Sequence, residues 1–153
     1  MMIFLISGCS NDVTGSENRL SEPYFLALDE LISTDTALNE NMQYISLDYN
    51  QELPLSDSDK KSIEDYLHSK YHIKIYNHTY EQLIQEGLYN QPRTTLKGIL
   101  LKIEKQVQSD NKENMIIEAS KYRSNEGSLS AKITLTFEKD QWRVVMNTPT
   151  KES

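Results

Sequence analysis

Ten consecutive residues, Leu129 to Glu138, alternate without a break between two kinds of side chain. Leu129, Ala131, Ile133, Leu135 and Phe137 take one parity; Ser130, Lys132, Thr134, Thr136 and Glu138 take the other. A period of two is that of a strand with one buried face, and a helix cannot accommodate it. Lys139-Asp140 then supplies a tight turn, and Gln141 to Met146 returns as a strand with Trp142, Val144 and Met146 on one side. Upstream, Met115 to Tyr122 reads as a strand ending before a turn at Glu126-Gly127. Leu96 to Val107 reads as another, with Leu96, Gly98 and Leu100 opposed to Ile99, Leu101 and Ile103. Connections this short allow only antiparallel neighbours. The C-terminal third is therefore expected to be a four-strand meander.

The N-terminal part changes period. Phe25, Leu28, Leu31 and Ile32 recur at helical spacing, behind Ser21 as N-cap and Pro23 in the first turn. A weaker helical turn is expected over Thr36 to Met42. Gln43 to Tyr49 alternates as a strand. Ser56 or Ser58 caps a second helix running to about Ser69, followed by a short strand over Tyr71 to Tyr76. A third helix opens at Asn77 to Thr79 and closes near Gly87. The fold class is α+β: about three helices packed on one face of a mostly antiparallel, curved sheet. One domain is expected over 20–147, with 148–153 as a loose tail.

Net charge is −7, from 23 acidic against 16 basic residues. That balance argues against a nucleic-acid partner, which needs a concentrated basic face. Patterns that would carry catalysis or hold a cofactor are missing: there is no Gly-x-Ser-x-Gly and no Gly-rich phosphate loop. An enzyme is not expected. His68 and His72 stand four apart, the spacing of a helical metal pair, with Asp65 and His78 as additional ligands. Histidine at a helix end is also simply favourable to the dipole. Glu104 and Glu118 would be an acid–base pair if they faced each other on neighbouring strands, or solvated charges beside Lys102, Lys105 and Lys121. Lys121, Tyr122 and Arg123 form a candidate ligand site, because two cations on an acidic chain suit an anion. A strand end with solubilising charges is the plainer reading. Tyrosines such as Tyr44, Tyr66 and Tyr76 are candidates to line a pocket on the sheet.

The one cysteine, Cys9, follows a short apolar run, Met1 to Ile6, and then Ser7-Gly8. After it, Ser10 to Asn18 is polar and free of aromatics, the composition of a tether with a reach of roughly 15–20 Å. Ile6-Ser7-Gly8-Cys9 resembles the bacterial lipobox, in which the cysteine is lipidated and becomes the new N-terminus. That resemblance implies a signal-like segment over 1–8, a flexible tether over 9–19 and a membrane anchor on Cys9. No Lys or Arg precedes the run, which a start site placed too far downstream would explain. A frayed strand with an ordinary buried cysteine is the alternative. Tyr44–Asp48, Thr79–Leu83, Ile117–Ser124 and Phe137–Trp142 resemble segments of small uncharacterised exported proteins of Gram-positive, spore-forming bacteria. This implies an extracytoplasmic setting. The closing strand-turn-strand with Trp142 is also similar to nuclear-transport-factor-2-like and cystatin-like domains, which set a helix against a bent antiparallel sheet. The expected function is a membrane-tethered binding or protein-interaction module, with an envelope protein or a small ligand as partner. A metal-dependent protein using His68 and His72, or a structural envelope or spore component, are the alternatives.

Overall fold

In the structure, a computed structural model, residues 20–153 are described; Cys9 and the segments around it lie outside them. The chain is α+β. Three helices, α1 (Ser21–Ser33), α2 (Asp57–Tyr71) and α3 (Tyr80–Gln85), accompany seven strands. The strands are β1 (Tyr44–Tyr49), β2 (Lys74–Tyr76), β3 (Tyr89–Asn90), β4 (Thr95–Gln108), β5 (Asn114–Ser124), β6 (Gly127–Glu138) and β7 (Gln141–Glu152). They form one open mixed sheet in the order β2-β1-β4-β5-β6-β7, with β3 paired to β4. β1 runs parallel to both β2 and β4, and every other pairing is antiparallel. The four C-terminal strands make the expected meander.

Local chemistry sets the helix ends. Ser56 and Asp59 form a reciprocal capping box at the start of α2, and Thr79 and Gln82 do the same for α3. Gly87, at φ 75°, closes α3. Its N–H reaches Ile84 O at 3.1 Å and that of Leu88 reaches Leu83 O at 2.9 Å, a Schellman motif. α1 starts one residue earlier than a Ser21 cap requires: Leu20 holds the cap position and Ser21 is already helical. The turn after α1 is a 3-10 turn over Thr36–Asn39.

The sheet has two unequal faces. α1 and α2 cover one, where Leu28, Leu31, Ile63 and Leu67 pack against Ile45, Ile99 and Ile133. Each such side chain contributes about 1.5–3 kcal/mol by leaving water. α3 lies on the other face, so the expectation that all helices share one face is corrected. Its Leu83 joins Tyr44, Leu96 and Leu100 in a second, smaller core. β1 and β4 are therefore covered on both sides. Gly98 is what lets them approach: a Cβ there would stand 2.3 Å from Tyr44 O and 2.6 Å from the Tyr44 ring.

The expected loose tail at 148–153 is instead strand. β7 runs to Glu152, and Ser153 exchanges backbone hydrogen bonds with Ser128 at 2.9 and 3.0 Å. Pro149 is tolerated because β7 is an edge strand, where a missing N–H leaves no ladder bond unmade. β7 also carries two bulges, at Val145 and Thr150. The first reverses the parity of Met146, which leaves the side of Trp142 and Val144 and stands 58% exposed on the opposite face.

Gly98→Ala is expected to cost about 3 kcal/mol by overpacking against the β1 backbone. Urea unfolding checks this: the midpoint should fall with the slope unchanged.

Candidate functional site

The face of the sheet opposite α1 and α2 is roofed by α3 only over β1 and β4. Where that roof ends, a hollow of ≈ 360 Å³ opens over β4, β5 and β6. Its floor is a row of one residue per strand, in register: Lys102, Ser120, Ser130 and Lys151. Leu100 and Tyr122 occupy the next row. Tyr80, the first residue of α3, meets Tyr122 edge to face at 5.5 Å and Tyr89 at 6.4 Å. Glu81 stands at the rim.

The tyrosine wall is held from below. Ser46 Oγ donates to His78 O at 2.8 Å and accepts from His78 N at 3.0 Å, tying the segment before α3 to β1. The Thr79 capping box then fixes the first turn and with it Tyr80. Tyr122 donates its phenol proton to Asn125 Oδ1 at 2.8 Å. Burial pushes the Tyr122 phenol above its ordinary value, and neighbouring Tyr80 adds to the shift. Asp48, across from Lys102 in register, is also pushed up by burial and drawn back by Lys102.

The serines differ in occupation. Ser128 shares a 2.6 Å hydrogen bond with Ser153. Among the described residues, neither Lys102 nor Lys151 makes an ion pair, and no lysine of the hollow hydrogen-bonds a serine. A serine nucleophile needs a base within hydrogen-bond reach. The arrangement offers cations, hydroxyls and ring faces: the means to bind.

Of the three residues expected to hold a ligand together, only Tyr122 lines this hollow. Lys121 is fully buried on the helix side. Its ammonium donates to the carbonyls of Ile32, Thr34 and Asp35 at 3.0, 2.5 and 3.0 Å and to Asn39 Oδ1 at 3.0 Å. Arg123 donates from Nε to Leu96 O at 2.8 Å and from Nη1 to Leu38 O and Glu40 O at 2.9 Å. Lys121 is therefore closed to a ligand, and Arg123, partly buried, borders a different hollow with Arg93 and Thr95. The tyrosines expected in a pocket are elsewhere too: Tyr66 stacks on Phe25 at 4.0 Å, and Tyr44 and Tyr76 lie against each other beneath α3.

His68 and His72 do not form the expected helical pair. His72 sits past the end of α2 in a left-handed conformation, and His68 Nδ1 is 2.8 Å from Ile73 O. Both border a shallow hollow with Glu64 and Asp65, but Asp65 is paired with Lys61 at 2.5 Å. His78 lies apart, stacked on Tyr76 and 2.8 Å from Glu86. No group of three or more potential ligands converges among the described residues. Glu118 pairs with Lys132 at 3.3 Å, and Glu104 is the extra residue of a bulge, so the two do not face each other.

Lys102 and Lys151 are the site residues that sequence reasoning missed. Lys151 fell in the supposed tail, and Lys102 had been read only as a partner for carboxylates. The signal for Lys102 was its parity with Leu100 on a strand whose opposite parity is core. The chain matches no protein-family model, no curated protein and no solved structure.

The Lys121 ammonium carries a stability term of definite sign. Burial lowers its pKa to about 8, against a small opposing pull from Asp35. Below pH 8 both folded and unfolded chains hold the proton, and the cost of burying the charge is fully present. Between pH 8 and about 10 the unfolded chain binds more protons, so stability rises with pH, by at most about 1.4 kcal/mol per unit. Above about pH 10 the trend reverses. Tyr24, Tyr49 and Tyr71 are held protonated by burial, and their unfolded counterparts ionise first. Denaturant unfolding between pH 7 and 11 should show a maximum near pH 10. Lys121→Met should lower stability at pH 7 and abolish the rise. A flat or falling curve between pH 8 and 9.5 would refute the assignment.

Proposed function

We propose that this chain is an extracytoplasmic lipoprotein, held to a membrane by lipid on Cys9, whose folded part is a binding module rather than an enzyme. The observation that carries the binding reading is the uncovered half of the sheet. A stable domain normally covers both faces of a strand layer or makes the bare face uniformly polar. Here the bare face holds a walled hollow at one end, with two lysines that make no ion pair among the described residues. At the other end Val107, Ile116 and Met146 fall in one row across the strands, at 47%, 36% and 58% exposure. Large apolar side chains grouped on an open sheet face mark an interaction surface. On the helix side, by contrast, Lys121 spends its charge on carbonyls of the protein itself.

The anchor reading rests on Ile6-Ser7-Gly8-Cys9 and on the polar composition of the residues that follow. No helix among the described residues is long and apolar enough to cross a membrane. A lipid on Cys9 would supply the attachment, with residues 10–19 as spacer.

Expression in a Gram-positive host with the native upstream DNA, followed by detergent phase separation and intact mass, tests the anchor. The protein should partition into the detergent phase with a mass matching a lipid-modified chain that begins at Cys9. Cys9→Ser should remain aqueous. An unmodified wild-type chain in the aqueous phase would overturn the lipoprotein reading and leave the binding face standing.

A further inference from the structure

We infer that the hollow over β4, β5 and β6 takes a small anion carrying a flat apolar body. Lys102 and Lys151 receive the charge, Ser120 and Ser130 hydrogen-bond it, and Tyr80 and Tyr122 receive the body. This rests on the binding reading above and names the ligand class for that face.

The placement of charge is the first argument. On a chain of net charge −7, a lining with two lysines against one glutamate is a local reversal. Lys102 and Lys151 flank Ser120 and Ser130 in one register row, which continues past Lys102 to Asp48 on β1, outside the lining of the hollow. Adjacent strands lie about 4.8 Å apart, so the two lysine Cα atoms are separated by about 14 Å. Flexible four-carbon stems from both sides border the same hollow, above the hydroxyls. Two ammonium groups over two hydroxyls make a cradle of donors, and a carboxylate or phosphate supplies the acceptors.

The second argument is how Lys151 arrives there. Thr150 is the extra residue of a bulge, so Lys151, rather than Thr150, shares the row of Ser130. Without the bulge the lysine would point to the helix side. Bulges re-aim side chains, and this one aims a cation into the hollow.

The third is the wall. Tyr80 and Tyr122 meet edge to face, an arrangement that presents ring surface to the hollow beside Leu100. Burial keeps the Tyr122 phenol protonated, so it puts no negative charge beside the anion. A space of ≈ 360 Å³ lies at the low end of small-molecule pockets, which suits one ring and one charged group.

The test is an NMR titration of the full chain, in low salt, with phenyl phosphate, phenylacetate and benzyl alcohol in turn. At least one of the two anions should shift the amide signals of Ser120, Tyr122 and Ser130 saturably. The tighter of the two identifies phosphate or carboxylate as the group taken. Lys102→Gln/Lys151→Gln should weaken that binding about tenfold or more while the remaining spectrum stays folded. Lys139→Gln, at the β6–β7 turn, should leave it unchanged. Benzyl alcohol binding as tightly as both anions, or anion binding that survives the double substitution, would overturn the anion assignment while keeping the face as a binding site. If none of the three probes shifts this face, the assignment falls and the binding reading falls with it.

Discussion

The ammonium of Lys121 is the interaction on which the helix side of this fold depends. It rises from the middle of β5, fully buried, and gathers three backbone carbonyls and one amide oxygen from residues 32–39. Those carbonyls lie at and just past the C-terminus of α1, where the helix dipole is negative and the last oxygens lack partners inside the helix. One side chain thus caps a helix, shapes the turn that follows and pins both to the centre of the sheet. Arg123, two residues on, does the same for Leu38 and Glu40 and links them to Leu96 on β4. A buried charge is a poor source of net stability, because desolvation offsets much of what its bonds return. It is a strong source of geometry: any other arrangement of this segment would strand a cation or its acceptors away from water.

With Lys121 of β5 spent on one side, the strand offers Tyr122 and Ser120 to the other. The same division continues across the sheet, and bulges decide who stands where. In β7 the extra residues at Val145 and Thr150 place Met146 and Lys151 on the open face. In β4 the bulge at Glu104 places Lys105 opposite Glu118 instead of leaving that glutamate as neighbour. A strict alternation carried through either strand would give a different surface from the same residues.

Most of the architecture was legible because it follows from periods and caps. The unbroken alternation of Leu129 to Glu138 is β6, and the Ser56 and Thr79 boxes start α2 and α3 where their side chains dictate. The position of α3 was also encoded. Apolar residues occupy both parities of β1 and β4, at Tyr44 and Ile45, then at Ile99, Leu100 and Leu101, and a strand written that way is covered on two sides. Lys121 was misread against its own pattern. The parity that makes Ile117 and Ala119 core makes Lys121 core as well, and only the habit of placing lysine in water argued otherwise. β3 and the end of β7 were less accessible. A two-residue strand has no period to detect, and Pro149 is compatible with strand only at an edge, which is a fact of tertiary pairing.

The location of the hollow follows from the length of one helix. α3 has six residues and so spans about 9 Å, whereas the six strands of the main path extend about 24 Å across the sheet. A roof of that size covers roughly two strands. α3 is locked over β1 and β4 by the Ser46–His78 bracket at its start and the Schellman motif at its end. The rest of the face is left bare, and a step forms where Leu83 and Tyr80 stop and the floor of Ser120 and Ser130 begins. Any ligand placed in that step touches Tyr80 at the start of the helix, Tyr122 on β5, the serines on the strands and the lysines that flank them. The hollow lies beside Tyr80 and Glu81, at the N-terminal end of α3, so the Thr79 capping box that fixes where the helix begins sets the edge of the site as directly as any residue lining it.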